Sequence, residues 1–177
     1  MVTKIIPSMQ HRDQMMNLSS VHIRIFNRQT SFKLNLNQLK SIASFIVLNE
    51  RELYILRYQT LFPLKEYEFT ISLLDEKKMI SLHSQTLGLT VPTDVLSYSY
   101  IEPGKTIMNY ILGEVFVCVD QAQQNFKLFH STLEREIRLY LVHGILHCFG
   151  YDDTSKSLMK VMRQRERFYM DLFSAFT

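Results

Sequence analysis

The chain first alternates apolar and polar residues in VHIRIF (21–26), the period of a half-buried strand. The period lengthens to that of a helix in LNLNQLKSIASFIVLNE (34–50), where Asn37 is a candidate N-cap. Residues 51–66 show no decisive period. EYEFTISLLD (66–75) reads as a strand. EKKMISLHSQTLG (76–88) reads as a helix closed by Gly88, which tolerates the left-handed backbone of helix ends. PTDVLSYSY (92–100) predicts a strand with Pro92 at its start, EPGK (102–105) a turn, and YILGEVFVCVD (110–120) a central strand, apolar on both faces. Residues 121–149 predict a helix, buried over its C-terminal half because REIRLYLVHGILHCF is apolar almost all round. SKSLMKVMRQRERFYMDLF (155–173) predicts a last, amphipathic helix. Strands and helices intermix, so the fold is α+β or α/β around a small sheet. Residues 1–20 lack a period and are expected to form a loosely ordered extension, with residues 21–177 as one domain.

The length of 177 residues fits one domain with a real core. At 46% hydrophobic and 21% charged residues, the chain is not disordered as a whole. A net charge of +3 tolerates an anionic partner such as RNA without requiring one. Cys118 and Cys148 are too few for a disulfide scaffold and read as small core residues. There is neither a signal-peptide run nor an apolar stretch near the roughly 20 residues of a membrane span. A cytoplasmic protein without membrane attachment is expected.

HGILHCFGYDD (143–153) carries the chemistry. His143 and His147 stand at i and i+4, on one helix face, where two imidazoles can reach one Zn²⁺ at about 2.0–2.1 Å. Gly150 would end the helix and turn the chain, returning Asp153 as a third ligand. Three protein ligands leave a position for water, as in catalytic zinc sites, and such a metal acidifies its water and polarises a phosphoryl or carbonyl oxygen. The spacing is like that of zincin peptidases, but Gly144 occupies the position of their general-base Glu, which argues against simple proteolysis.

HGILHCFGYDD resembles the H-G-x-L-H-x-x-G-Y-D-H signature of the YbeY endoribonuclease family of rRNA maturation factors. PTDVLSY (92–98) and LGEVFVCVD (112–120) resemble two further family segments in the same order, and Met162 and Glu166 match positions on its last helix. The resemblance spans roughly residues 21–170. It implies an α+β fold with a small mixed four-stranded sheet packed with helices, and one zinc beside a zincin-like helix. It implies a zinc-dependent single-strand endoribonuclease, acting on rRNA at the small-subunit 3′ end and in ribosome quality control. The partners implied are single-stranded RNA and the ribosomal small subunit or its associated factors, not DNA. His143 and His147 carry over as zinc ligands. Asp153 stands where the family has a third His, with Asp152 as the second choice. Leu87 stands where many members carry an Arg thought to assist catalysis, and His83 replaces a nearby Asn.

Without a Glu at position 144, Glu114 and Asp94 are the candidate general bases. Thr93, Ser97, Lys156 and Lys160 are candidate phosphate contacts, and Tyr151 a candidate base-stacking residue. Arg163, Arg165 and Arg167 extend the basic character of the last helix. Two other classes stay open: a metallohydrolase such as a peptidase, and a catalytically weakened ribosome-associated RNA-binding module.

Overall fold

The computed structural model describes residues 20–174. The expected extension at residues 1–20 falls almost wholly outside them. Four strands, β1 (Ser20–Asn27), β2 (Glu66–Leu74), β3 (Val95–Ser99) and β4 (Ile111–Cys118), form one sheet in the order β1-β2-β4-β3. The first three strands in that order run parallel, and β3 runs antiparallel to β4. The sheet is therefore mixed, with β4 central as its two apolar faces predict. The described residues also form five helices: α1 (Leu36–Tyr58), α2 (Glu76–Leu87), α3 (Val119–Phe129), α4 (Leu133–Cys148) and α5 (Lys156–Leu172). The class is α+β. Among the described residues, no helix is long and apolar enough to cross a membrane.

Several boundaries differ from the sequence reading. Asn35, not Asn37, caps α1, its side chain accepting from Gln38 N–H at 3.1 Å. The helix then runs on through the ambiguous segment to Tyr58, because Glu50 and Arg51 lie on its buried face and interrupt the apolar pattern. The expected helix over 121–149 is two helices. His130 takes a left-handed backbone, and Thr132 caps α4 by accepting from Arg135 N–H at 3.2 Å. Likewise β3 starts at Val95 rather than Pro92, since Asp94 Oδ1 takes the Val95 N–H and turns the chain in. Gly88 does close α2, with φ +70°.

The main core joins one face of the sheet to α1, α4 and α5. A smaller cluster on the other face packs α2 through Met79 against Leu74, Leu96 and Phe116. Both cysteines are buried and free. A buried polar cluster docks α5 on α1. Glu50 Oε1 accepts from Arg165 Nε and from the Tyr169 hydroxyl, both at 2.6 Å. Every group in it is paired, as burial of charge requires.

Helix α4 lies on the sheet at the closest distance that its residues allow. A Cβ built on Gly144 would sit 2.6 Å from Val115 Cγ1 and 2.9 Å from Val95 Cγ2, both β-branched and stiff. Position 144 therefore has no room for the glutamate of a zincin. We expect Gly144→Ala to destabilise the fold by about 1–3 kcal/mol through overpacking. Urea denaturation checks this. An unchanged midpoint would show that α4 has slack against the sheet.

Candidate metal centre

Helix α4 ends in a Schellman motif. Tyr151 N–H donates to the Leu146 carbonyl at 3.2 Å and Gly150 N–H to the His147 carbonyl at 3.0 Å, with Gly150 at φ +82°. This turn reverses the chain and returns residues 151–153 to the histidine face of the helix. His143 Nε2, His147 Nε2 and an Asp153 carboxylate oxygen come together, all within 4.8 Å of one another. Each imidazole Nε2 lies 3.9 Å from an Asp153 oxygen. Asp152 is committed elsewhere. Its Oδ1 accepts from Asp153 and Thr154 N–H, and its Oδ2 from the Thr154 hydroxyl at 2.7 Å.

The outward nitrogens fix the rings. His147 Nδ1 lies 3.0 Å from the Tyr151 carbonyl, which can only accept, so that nitrogen carries the proton. His143 Nδ1 lies 2.6 Å from Glu166 Oε1. Burial works to raise the Glu166 carboxyl, but the bond from His143 and the charge of Arg163, whose guanidinium lies 2.9 Å away, outweigh it and lower it. It is ionised at neutral pH and accepts the His143 proton. Burial first, and His143 second, hold His147 below the usual imidazole range, in the neutral form that binds metals.

The two Nε2 atoms face each other at 2.9 Å, on the side of the rings that Asp153 approaches. One cation set among these three side chains would be ligated by all of them. Two imidazoles with fixed tautomers and one carboxylate form a donor set that suits Zn²⁺, with outer partners of the kind that orient metal-bound histidines. The residues fit the metal that the sequence implies.

A groove of about 380 Å³ opens beside the histidines, lined also by Asp94, Ser97 and Ser99. Asp94 keeps one oxygen on Val95 N–H at 2.9 Å, and Thr93 Oγ1 contacts the same carboxylate at 3.4 Å. Ser97 Oγ is buried without a hydrogen-bond partner among the described residues.

Two candidates lie elsewhere. Val95, Ser97 and Ser99 pair with Val117, Val115 and Gly113 on the face toward α4, so Glu114, opposite Tyr98, projects from the other face. There it accepts from the Tyr100 hydroxyl at 2.7 Å, a bond that pushes that phenol up to about 12. The Tyr151 side chain is 8% exposed. Its ring lies under the Arg57 guanidinium at 4.8 Å, and its hydroxyl accepts from the same side chain at 3.1 Å. It serves the site through its carbonyl and offers no face for a base.

On α5, Lys156 and Lys160 are exposed and make no ion pair among the described residues. Arg163 pairs with Glu166, Arg165 with Glu50, and Arg167 is exposed. Leu87 is exposed at 59%, and His83 is buried, its Nδ1 2.8 Å from the Val91 carbonyl. Sequence reasoning gave Glu166 only a place in a family pattern. Its role emerges only once α5 lies against α4, 23 residues apart in the chain.

The family model described as Endoribonuclease YbeY matches residues 24–174. The Flavobacterium johnsoniae endoribonuclease YbeY is 29% identical over 143 residues, covering 80% of this chain and 90% of that one. The Thermobifida fusca endoribonuclease YbeY is 38% identical over 104 residues, covering 56% and 66%. The solution structure of TM1509 from Thermotoga maritima superposes with a TM-score of 0.59 at 27% identity, covering 88% of this chain and 91% of that one.

Removal of the Glu166 carboxylate in Glu166→Ala is expected to weaken zinc binding about 10–100-fold, because it frees the His143 ring. Competition against a chelating dye measures this, and unaltered affinity would mean that packing alone orients His143. With its histidine pair, its outer-sphere partners and this match over most of its length, the chain belongs to the endoribonuclease YbeY family.

Proposed function

We propose that this protein is a zinc-dependent endoribonuclease that cuts single-stranded RNA, with rRNA of the small ribosomal subunit, near its 3′ end, as substrate, and with a role in ribosome quality control. The observation that carries the reading is the convergence of His143, His147 and Asp153 at the mouth of an open groove, in a chain of this family.

His143, His147 and Asp153 would hold one Zn²⁺. Bound there, the metal acidifies a water and polarises a phosphoryl oxygen. Glu166 and the Tyr151 carbonyl keep both imidazoles in the tautomer with Nε2 facing inward. Asp94 is the general base in this reading. It lines the groove, one oxygen is held by Val95 N–H, and the other is available to take a proton. Glu114, on the opposite sheet face, is not positioned for that task. Lys156, Lys160, Arg163 and Arg167 recur at i, i+4, i+7 and i+11 along α5, so they share a face that can follow RNA phosphates beyond the site. Ser97 lines the groove with its hydroxyl buried, and Thr93 lies outside the lining with its hydroxyl 3.4 Å from Asp94 Oδ1.

Purified His143→Ala and His147→Ala proteins, with the fold verified by circular dichroism, are expected to lose at least about 100-fold in cleavage of a single-stranded RNA. Asp94→Asn should lose about 10²–10⁴-fold, the usual contribution of a general base. Full activity in both histidine variants would overturn the proposal. Cleavage of peptides but not RNA would move the protein to another hydrolase class.

A further inference from the structure

β3 pairs only with β4, so its other edge is open among the described residues. The register decides which groups lie on that edge. Cys118 N–H donates to the Asp94 carbonyl at 2.8 Å, and Tyr100 N–H to the Leu112 carbonyl at 3.0 Å. In an antiparallel ladder, successive residues alternate between facing the partner strand and facing away. Asp94, Leu96, Tyr98 and Tyr100 therefore face β4, and Val95, Ser97 and Ser99 turn their N–H and C=O groups outward.

That edge is a wall of the groove shared with His143 and His147. Asp94 Oδ1 already takes the Val95 N–H. The outward main-chain groups of Ser97 and Ser99 find no partner among the described residues. Among the described residues, no Lys or Arg lines this groove. The donors left for a nucleic-acid backbone are main-chain N–H groups, recurring about 7 Å apart along the strand. Each is accompanied by a carbonyl acceptor. RNA offers the complementary set, in which phosphate oxygens accept and 2′-hydroxyls donate. DNA keeps the phosphates and lacks the donor.

We propose that the open edge of β3 at Ser97 and Ser99 holds a single RNA strand beside the metal centre, main-chain N–H groups on its phosphates and main-chain carbonyls on its 2′-hydroxyls, and so selects RNA over DNA. This rests on the endoribonuclease reading and names the element that gives it substrate specificity. A peptide strand also complements an open edge, so peptide binding is an outcome that the test must separate.

The full chain as purified, labelled with ¹⁵N, is titrated with a single-stranded RNA hexamer, with its all-deoxy counterpart and with a soluble Thr-rich peptide. Strand integrity is checked after each addition. Affinity is read together with the shift and hydrogen exchange of the Ser97 and Ser99 amides. The RNA should shift and protect both amides, and the deoxy strand should bind about tenfold more weakly, the loss of one or two neutral hydrogen bonds. Equal affinity for RNA and DNA would overturn the inference. So would RNA that protects α5 but leaves Ser97 and Ser99 unchanged, or protection of these amides by the peptide alone, and in the first two cases the endoribonuclease reading would survive. Absence of RNA binding anywhere would overturn that reading and the inference with it.

Discussion

Two imidazole Nε2 atoms held 2.9 Å apart are the constraint around which the site is built. The rings of His143 and His147 are nearly perpendicular and are held from outside, by a carboxylate on one Nδ1 and a main-chain carbonyl on the other. Each holding group comes from a different element, so the geometry of the pair depends on the docking of the whole C-terminal third of the chain.

That dependence can be followed residue by residue. Gly144 lets α4 lie close on β3 and β4, which places His143 beside the groove. Gly150 supplies the left-handed backbone that returns Tyr151 and Asp153. Arg57, from α1, grips the Tyr151 ring and so fixes the carbonyl that serves His147. Glu50, also from α1, binds Arg165 and Tyr169 and fixes α5, which carries Glu166 to His143. Helix α1 thus contributes no group to the site and supports both of its outer contacts. A buried Glu50 would be costly if unpaired, and its full set of partners makes it a specific clamp instead.

The sequence was legible where spacing alone sets geometry. The i, i+4 histidines, the left-handed Gly150 and the returning Asp153 follow from helix and turn rules; alternation located β1, and an apolar run on both faces located β4. The central place of β4 followed from its two apolar faces. What stayed hidden depended on contacts between distant segments. Glu114 and Asp94 both look like bases in a line of letters, but strand register puts one away from the histidines and the other in their groove. Tyr151 reads as a stacking aromatic until Arg57 is seen above it. The second half of α1 was obscured because its buried face is partly charged, and the break between α3 and α4 because a left-handed His130 leaves little trace in the apolar pattern.

The central claim is that residues 143–153 form a metal centre with Asp153, not Asp152, as third ligand. Elemental analysis of the purified protein beside Asp153→Ala and Asp152→Ala tests it most directly. The structure predicts about one zinc per chain in the parent and in Asp152→Ala, and a large loss in Asp153→Ala. Zinc retained in Asp153→Ala and lost in Asp152→Ala, or a protein that takes up no metal after reconstitution, would contradict it.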